Sequence, residues 1–172
     1  GLAHAESIKY LIGQAELNDK LSTVKYLLGE RDVSLSHALR AIYLFETLED
    51  PVRVGSIYCS IGYQMKGRDM AKANSFMQKG ISILIKRDNS SALESAFNNY
   101  GVLKEMEGKL DSAEYYYTKS FKLVSLANDS IGIPYGLNNL AGIALLNDDF
   151  DEAKSLLDQA YTIRKIRKNE YG

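Results

Sequence analysis

Residues 70–84 read Met70-Ala71-Lys72-Ala73-Asn74-Ser75-Phe76-Met77-Gln78-Lys79-Gly80-Ile81-Ser82-Ile83-Leu84. Apolar or small residues stand at Met70, Ala73, Phe76, Met77, Gly80, Ile81 and Leu84. That spacing of threes and fours draws one stripe along a helix and cannot alternate across a strand. The stripe returns forty positions later as Leu110, Ala113, Tyr116, Tyr117, Ser120, Phe121 and Val124, matching at every place. A third copy runs Phe150, Ala153, Leu156, Leu157, Ala160 and Tyr161, and departs only at Arg164. Three copies at one period mark an internal repeat, and a period of this length belongs to stacked supersecondary units. A weaker copy lies at an offset of 39, with Ala38, Ala41, Ile42 and Phe45 in place but Ser34 and His37 where the pattern is otherwise small and bulky-apolar.

Each striped helix is preceded by another. Leu93, Ala96, Phe97, Tyr100 and Gly101 form one such stripe, and Ile133, Leu137, Leu140, Ala141 and Ala144 the next. Helices therefore come in pairs, joined by the short segments Glu107-Gly108-Lys109 and Asn147-Asp148-Asp149, where Gly supplies a positive φ and Asp caps the following helix. Short turns make antiparallel hairpins. Small residues at Ala73, Ala113 and Ala153, and at Gly80, Ser120 and Ala160, let a neighbouring helix approach closely. Asp50-Pro51 reads as a cap and first helical position, and Asp129-Ser130 as the opening of another helix, with Pro134 delaying its regular start. The expected architecture is all-α, one domain over 1–172 with repeats at 19–49, 50–88, 89–128 and 129–168. Residues 1–18, with Leu2, Ala5, Ile8 and Ile12 in helical spacing, are expected to finish a preceding repeat.

Composition agrees with a folded domain: 172 residues, 45% hydrophobic and 25% charged. A formal net charge of -1 supplies no cation excess for nucleic acid, which is excluded as a partner of this domain. No apolar run approaches the length of a membrane span, so membrane insertion is not expected. Cys59 is the single cysteine and forms no internal disulfide. The compartment stays open between the cytoplasm and a periplasm reached through a removed leader. Gly1 and the stop at Tyr171-Gly172 read as cuts from a longer polypeptide.

At this point the residues resemble the tetratricopeptide repeat, whose helix pairs carry a Leu-Gly step, a later Tyr, then Gly, Ala, Phe and Ala. Tyr100-Gly101 is similar to the Leu-Gly step, Gly108 to the turn glycine, and Ala113, Tyr117 and Ser120 to the Ala, aromatic and small positions; Lys104 replaces the Tyr. Leu140-Ala141, Asp148, Ala153, Leu157 and Ala160 correspond in the last copy. Ile61-Gly62, Ala73, Met77 and Gly80 do so in the second, which lacks one residue between Gly62 and Ala73. The resemblance covers residues 19–168, with a period longer than the standard unit of roughly 34. It implies a right-handed superhelical solenoid of antiparallel helix pairs whose first helices line a concave face.

The resemblance also implies a role and a site. The role is a non-catalytic scaffold for a protein or peptide. The family's groove positions fall on Asn98, Asn99, Asn138 and Asn139, whose amides offer a donor and an acceptor to peptide groups. Tyr63, Tyr135 and Glu105 follow in the same register, with Ser56, Cys59, Ser60 and Leu145. The alternative for Asn99 and Asn139 is that they bond neighbouring backbone between repeats. The Lys and Arg of a carboxylate clamp are absent from these places, which disfavours chaperone tails. A second functional class, a sensory or regulatory region of a larger signalling or transcription-regulating protein, stays open, as does self-association through an exposed end.

Remaining signals read as structure. Tyr116 and Tyr117 fall on the buried stripe. Asp148, Asp149, Asp151 and Glu152 open a helix rather than forming a calcium loop. Arg164, Lys165, Arg167 and Lys168 end a helix as solvated cations. His4 and His37 lie in no metal-binding arrangement, there is no phosphate-binding glycine loop, and a mid-helix Cys59 reads as a packed thiol. No catalytic residue, cofactor or metal ligand is assigned, and enzyme activity is not expected.

Overall fold

In a computed structural model that describes Leu2, residues 10–87 and residues 89–171, every regular element is an α-helix. In chain order these are α1 (Leu11–Leu27), α2 (Arg31–Thr47), α3 (Pro51–Met65), α4 (Met70–Lys86), α5 (Ser90–Met106), α6 (Leu110–Leu126), α7 (Gly132–Leu146) and α8 (Phe150–Tyr171). The chain divides into two compact units, Gly1–Asn89 and Ser90–Gly172. Unit 1 holds α1–α4 and unit 2 holds α5–α8, and within each unit every helix packs on its neighbours in sequence. The first pair begins at Leu11, so residue 19, where the first repeat was expected to start, lies inside α1. Ala5, Ile8 and His4 fall outside the described residues.

The forty-residue period comes from helix length. In the first pair two 17-residue helices and two three-residue turns fill it. Five turns, four of three residues and the one of five between α6 and α7, close the same way: a residue in left-handed conformation at Gly29, Glu49, Gly108, Asn128 and Asp148, followed by an N–H that reaches back to a carbonyl five residues earlier. These bonds are Glu30→Lys25, Asp50→Phe45, Lys109→Lys104, Asp129→Val124 and Asp149→Ala144, all of 2.9–3.0 Å. They satisfy carbonyls that a helix end leaves unpaired. The turn after α3 differs. There α3 ends early and Asp69 N–H bonds Met65 O at 3.0 Å, which accommodates the residue missing between Gly62 and Ala73. Asp50, Asp69 and Asp149 cap the next helices through Arg53, Lys72 and Glu152 N–H. α7 begins at Gly132, two residues after Ser130, so its regular start is delayed as expected; Pro134 then lies in the first turn, where its missing N–H has no intrahelical partner to lose.

In unit 1 the α3–α4 contact is made through small residues. A Cβ on Gly62 would lie 2.8 Å from the Ala73 carbonyl oxygen and 2.9 Å from Met77 N, and a Cβ on Gly80 would lie 2.8 Å from Cys59 N. Beside them Ile61, Met77 and Leu84 are fully buried. The α1–α2 seam is different, because Gln14, Asn18 and Ser22 are buried along one face of α1. Ser34 Oγ sits 2.7 Å from Ser22 O and 2.9 Å from Gln64 Oε1. His37 Nδ1 lies 2.9 Å from Asn18 Oδ1. The two places where this copy leaves the apolar pattern are thus the two that bond to α1.

In unit 2 Tyr117 is buried over Gly101, where a Cβ would come 2.5 Å from the ring, and Ala113, Tyr117 and Ile143 form a core with Val102, Leu110 and Leu140 against it. Tyr116 is half-buried and packs on Tyr100 with ring centroids 4.4 Å apart. Lys104, in the place of the family's Tyr, is buried and donates to Glu107 at 2.8 Å from a position over the Tyr100 ring. Burial opposes its charge, but the bond to Glu107 outweighs this with Tyr100 alongside and raises its pKa above that of ordinary lysine. Lys104 and Lys109 hold the Glu107 carboxyl below its ordinary range. The last helix keeps Ala153 and Ala160 buried but exposes Leu157 and Tyr161. The equivalent Tyr117 is covered in the preceding pair.

Gly62→Ala should lower unfolding free energy by about 1–3 kcal/mol in urea titrations despite alanine's better helix propensity, because the methyl meets backbone that cannot yield. Glu107→Gln should cost about 1 kcal/mol at pH 7. A carboxyl whose folded pKa is depressed contributes stability above its unfolded value of 4.5 and loses it as pH falls through the folded value. The difference between the two proteins in thermal melts should therefore vanish in acid.

Candidate functional site

The first helices of the two pairs in unit 2 meet through their asparagines. Asn139 Nδ2 on α7 donates to Asn98 Oδ1 on α5 at 2.6 Å, with both residues half-buried. This bond joins α5 to α7 across the intervening α6. It spends one donor and one acceptor of the two amides, which have further hydrogen-bonding capacity beyond it. Asn99, one position on, is half-buried, and its side chain forms no hydrogen bond among the described residues. The bonds formed by Asn98 and Asn139 run from side chain to side chain between pairs, and not to backbone.

Asn138 is held from the other side. With its amide oxygen turned to α8 it accepts from Arg164 Nη2 at 2.9 Å, and its NH₂ group donates to Pro134 O at 3.3 Å. The Arg164 guanidinium also lies 5.8 Å over the Tyr135 ring. The residue that breaks the repeat pattern in the last copy is therefore the one that fixes Asn138 and lies over Tyr135. Tyr135 itself is 64% exposed. Glu105 on α5 is exposed, but its carboxylate accepts from Tyr117 Oη at 2.7 Å, which ties it to the core tyrosine.

The face continues past the residues named from sequence. On α7, Tyr135, Asn138, Asn139, Gly142, Leu145 and Leu146 follow a spacing that keeps them on one side of the helix, and Leu145 and Leu146 are exposed at 46% and 55%. Met106 at the end of α5 is exposed as well. Gly142, Leu146 and Met106 escaped the sequence reading. Extending the asparagine register by one turn would have reached Gly142, whereas the exposure of Leu146 and Met106 depends on what packs beside the helix ends.

In unit 1 the same register holds less. Tyr63 is half-buried, with Lys66 Nζ 3.1 Å over its ring. Ser60 Oγ receives Gln64 Nε2 at 3.3 Å. Cys59 turns inward: it is buried against α4 with Sγ 3.9 Å from Met77 O, and burial pushes its thiol pKa up to about 12. A thiol so placed stays protonated at neutral pH.

Larger depressions lie elsewhere. One of about 410 Å³ in unit 2 is lined by Glu114, Thr118, Leu140, Asp149, Glu152 and neighbours. Another of about 600 Å³ in unit 1 lies between Glu46, Pro51, Ile83 and Arg87. Neither is lined by Asn98, Asn99, Asn138 or Asn139. Among the described residues no group of three His, Cys, Asp or Glu side chains is placed to hold a metal ion, and no helix is long and apolar enough to cross a membrane.

The Asn98–Asn139 bridge carries a measurable coupling. In a double-mutant cycle with Asn98→Ala and Asn139→Ala, urea denaturation should give an interaction energy of about 0.5–1.5 kcal/mol, since each single change leaves the other amide half-buried without its partner.

No known protein family matches the chain, and no curated protein matches it in sequence. In structure it is similar to BtubC (BKLC) from P. vanneervenii, with a TM-score of 0.78, 17% sequence identity and 90% of this chain covered. This chain spans 65% of the length of that one. At such low identity the likeness establishes a common helical arrangement and nothing about ligands.

Proposed function

We propose that this chain is a non-catalytic scaffold that binds a protein segment or peptide on the α5–α7 face, as a tetratricopeptide-like solenoid does on its concave side. The observation that carries this reading is the Asn98–Asn139 bridge. It ties the first helices of consecutive pairs together through half-buried amides with capacity to spare, beside an Asn99 side chain that forms no hydrogen bond among the described residues. Amide side chains satisfy both the N–H and the C=O of an extended peptide, so they grip main chain without selecting sequence. Selection then falls to the exposed side chains around them, Tyr135, Leu145, Leu146 and Met106. The 17-residue helices and the repeated small residues support the solenoid. The absence of clustered basic residues on this face speaks against nucleic acid as the occupant.

Self-association is a second reading, favoured by one observation: α8 exposes Leu157 and Tyr161 on the stripe that is covered in the preceding pair. A second copy could cover that end.

Peptides selected from a random displayed library against the whole chain provide the test. Asn99→Ala should weaken a selected peptide roughly 2- to 12-fold, the loss of one neutral hydrogen bond, as measured by fluorescence anisotropy. Unchanged affinity for every selected peptide, or no selected peptide at all, would remove this face from the mechanism.

A further inference from the structure

The last helix, α8, packs on α7 and buries Ala153 and Ala160, while Phe150, Leu157 and Tyr161 stay exposed. Steps of seven and four residues keep these three on one stripe of the helix. Asp151, Asp158 and Lys165 stand seven apart, one position after Phe150, Leu157 and Arg164, and form a row along one edge of that stripe. The helix is also charged unevenly along its length. Residues 150–158 carry Asp151, Glu152 and Asp158 against Lys154, and Arg164, Lys165, Arg167 and Lys168 then follow with no acid among them. The helix dipole favours such charges in the first and last turns, but Asp158 and Lys165 lie outside both in a helix of 22 residues. Asp158 meets Lys154 at 3.3 Å as an exposed pair with the cation on the N-terminal side, the weaker order. Lys165 has no ion-pair partner among the described residues.

A surface with acid at one end and base at the other is complementary to its own image turned end for end. We propose that two copies of this chain associate through α8, antiparallel, with the two-fold axis passing beside Tyr161. The stripe of each copy then covers that of the other. Asp158 of each copy comes beside Lys165 of the other, because the two positions lie equally far on either side of a point between Tyr161 and Thr162. A parallel pairing would instead set Asp158 on Asp158 and Lys165 on Lys165. An apolar stripe of three side chains falls short of a standard interface of about 800 Å² per partner, so the dissociation constant should lie between about 10 µM and 1 mM. The pairing rests on the self-association reading and adds the orientation of the second copy and the charges that fix it.

Sedimentation equilibrium of the whole chain at low salt, from micromolar to millimolar concentration, should show monomer and dimer and nothing larger. Asp158→Lys and Lys165→Glu should each weaken the dimer roughly ten-fold, since each sets like charges opposite one another at two symmetric places. Both side chains are exposed, so Tm should stay within about 2 °C of the parent chain, which shows that the variants are folded. An equimolar mixture of the two variants should associate about as tightly as the parent chain, because each supplies the charges that the other lacks. Monomer at every concentration would overturn the proposal and the self-association reading with it. Three other results would keep self-association and remove the α8 pairing: a dimer indifferent to both substitutions, a mixture no tighter than its components, or growth beyond dimer, as a head-to-tail contact gives.

Discussion

The structure depends on how close two helices in a pair can come. Where Gly62 faces Ala73 and Met77, a single added carbon would press on backbone. The large side chains alongside, Ile61, Met77 and Leu84, are buried only because the axes approach that far. In the next pair Tyr117 over Gly101 solves the same problem with a ring in place of a backbone contact. Everything functional lies on top of this. The asparagines of α5 and α7 reach each other because α6 packs on both helices, and α6 is seated by Ala113 and Tyr117.

Much of this was legible in the sequence, and the reason is periodicity. The stripe at Ala73, Met77, Gly80 and Leu84 recurs as buried residues at Ala113, Tyr117, Ser120 and Val124, since a fixed spacing forces a fixed face. Paired helices and all-helical content follow from it. The first pair was harder to read, because Gln14, Asn18 and Ser22 bury polar groups on α1 and a hydrophobic pattern does not register a hydrogen-bonded seam. That is how the start of the first helix escaped, with residue 19 falling inside α1. The finer assignment to the tetratricopeptide family remains the proposal that the repeat supports.

At the candidate site, the sequence register singled out a helix face without showing which side chains meet there. Asn98 and Asn139 come together across 41 positions of chain, a contact that spacing alone does not announce. Arg164 looked like a flaw in the third copy. Its reach to Asn138 and Tyr135 is set by the close packing of α7 on α8, which only the three-dimensional arrangement supplies. Cys59 carried two readings, a groove position by register and a packed thiol by its mid-helix place; the closeness of α3 to α4 turns it into the seam, as the second has it.

The polar seam between α1 and α2 bears on how the chain comes apart. Hydrogen bonds such as Ser34 to Ser22 and His37 to Asn18 exchange for water with little net change in free energy, whereas the apolar seam of α3 and α4 does not. The hairpin at the amino-terminal side of unit 1 therefore opens at lower free energy than the unit as a whole, as a separable layer of local unfolding. Its amide protons are expected to exchange with solvent ahead of those in α3 and α4.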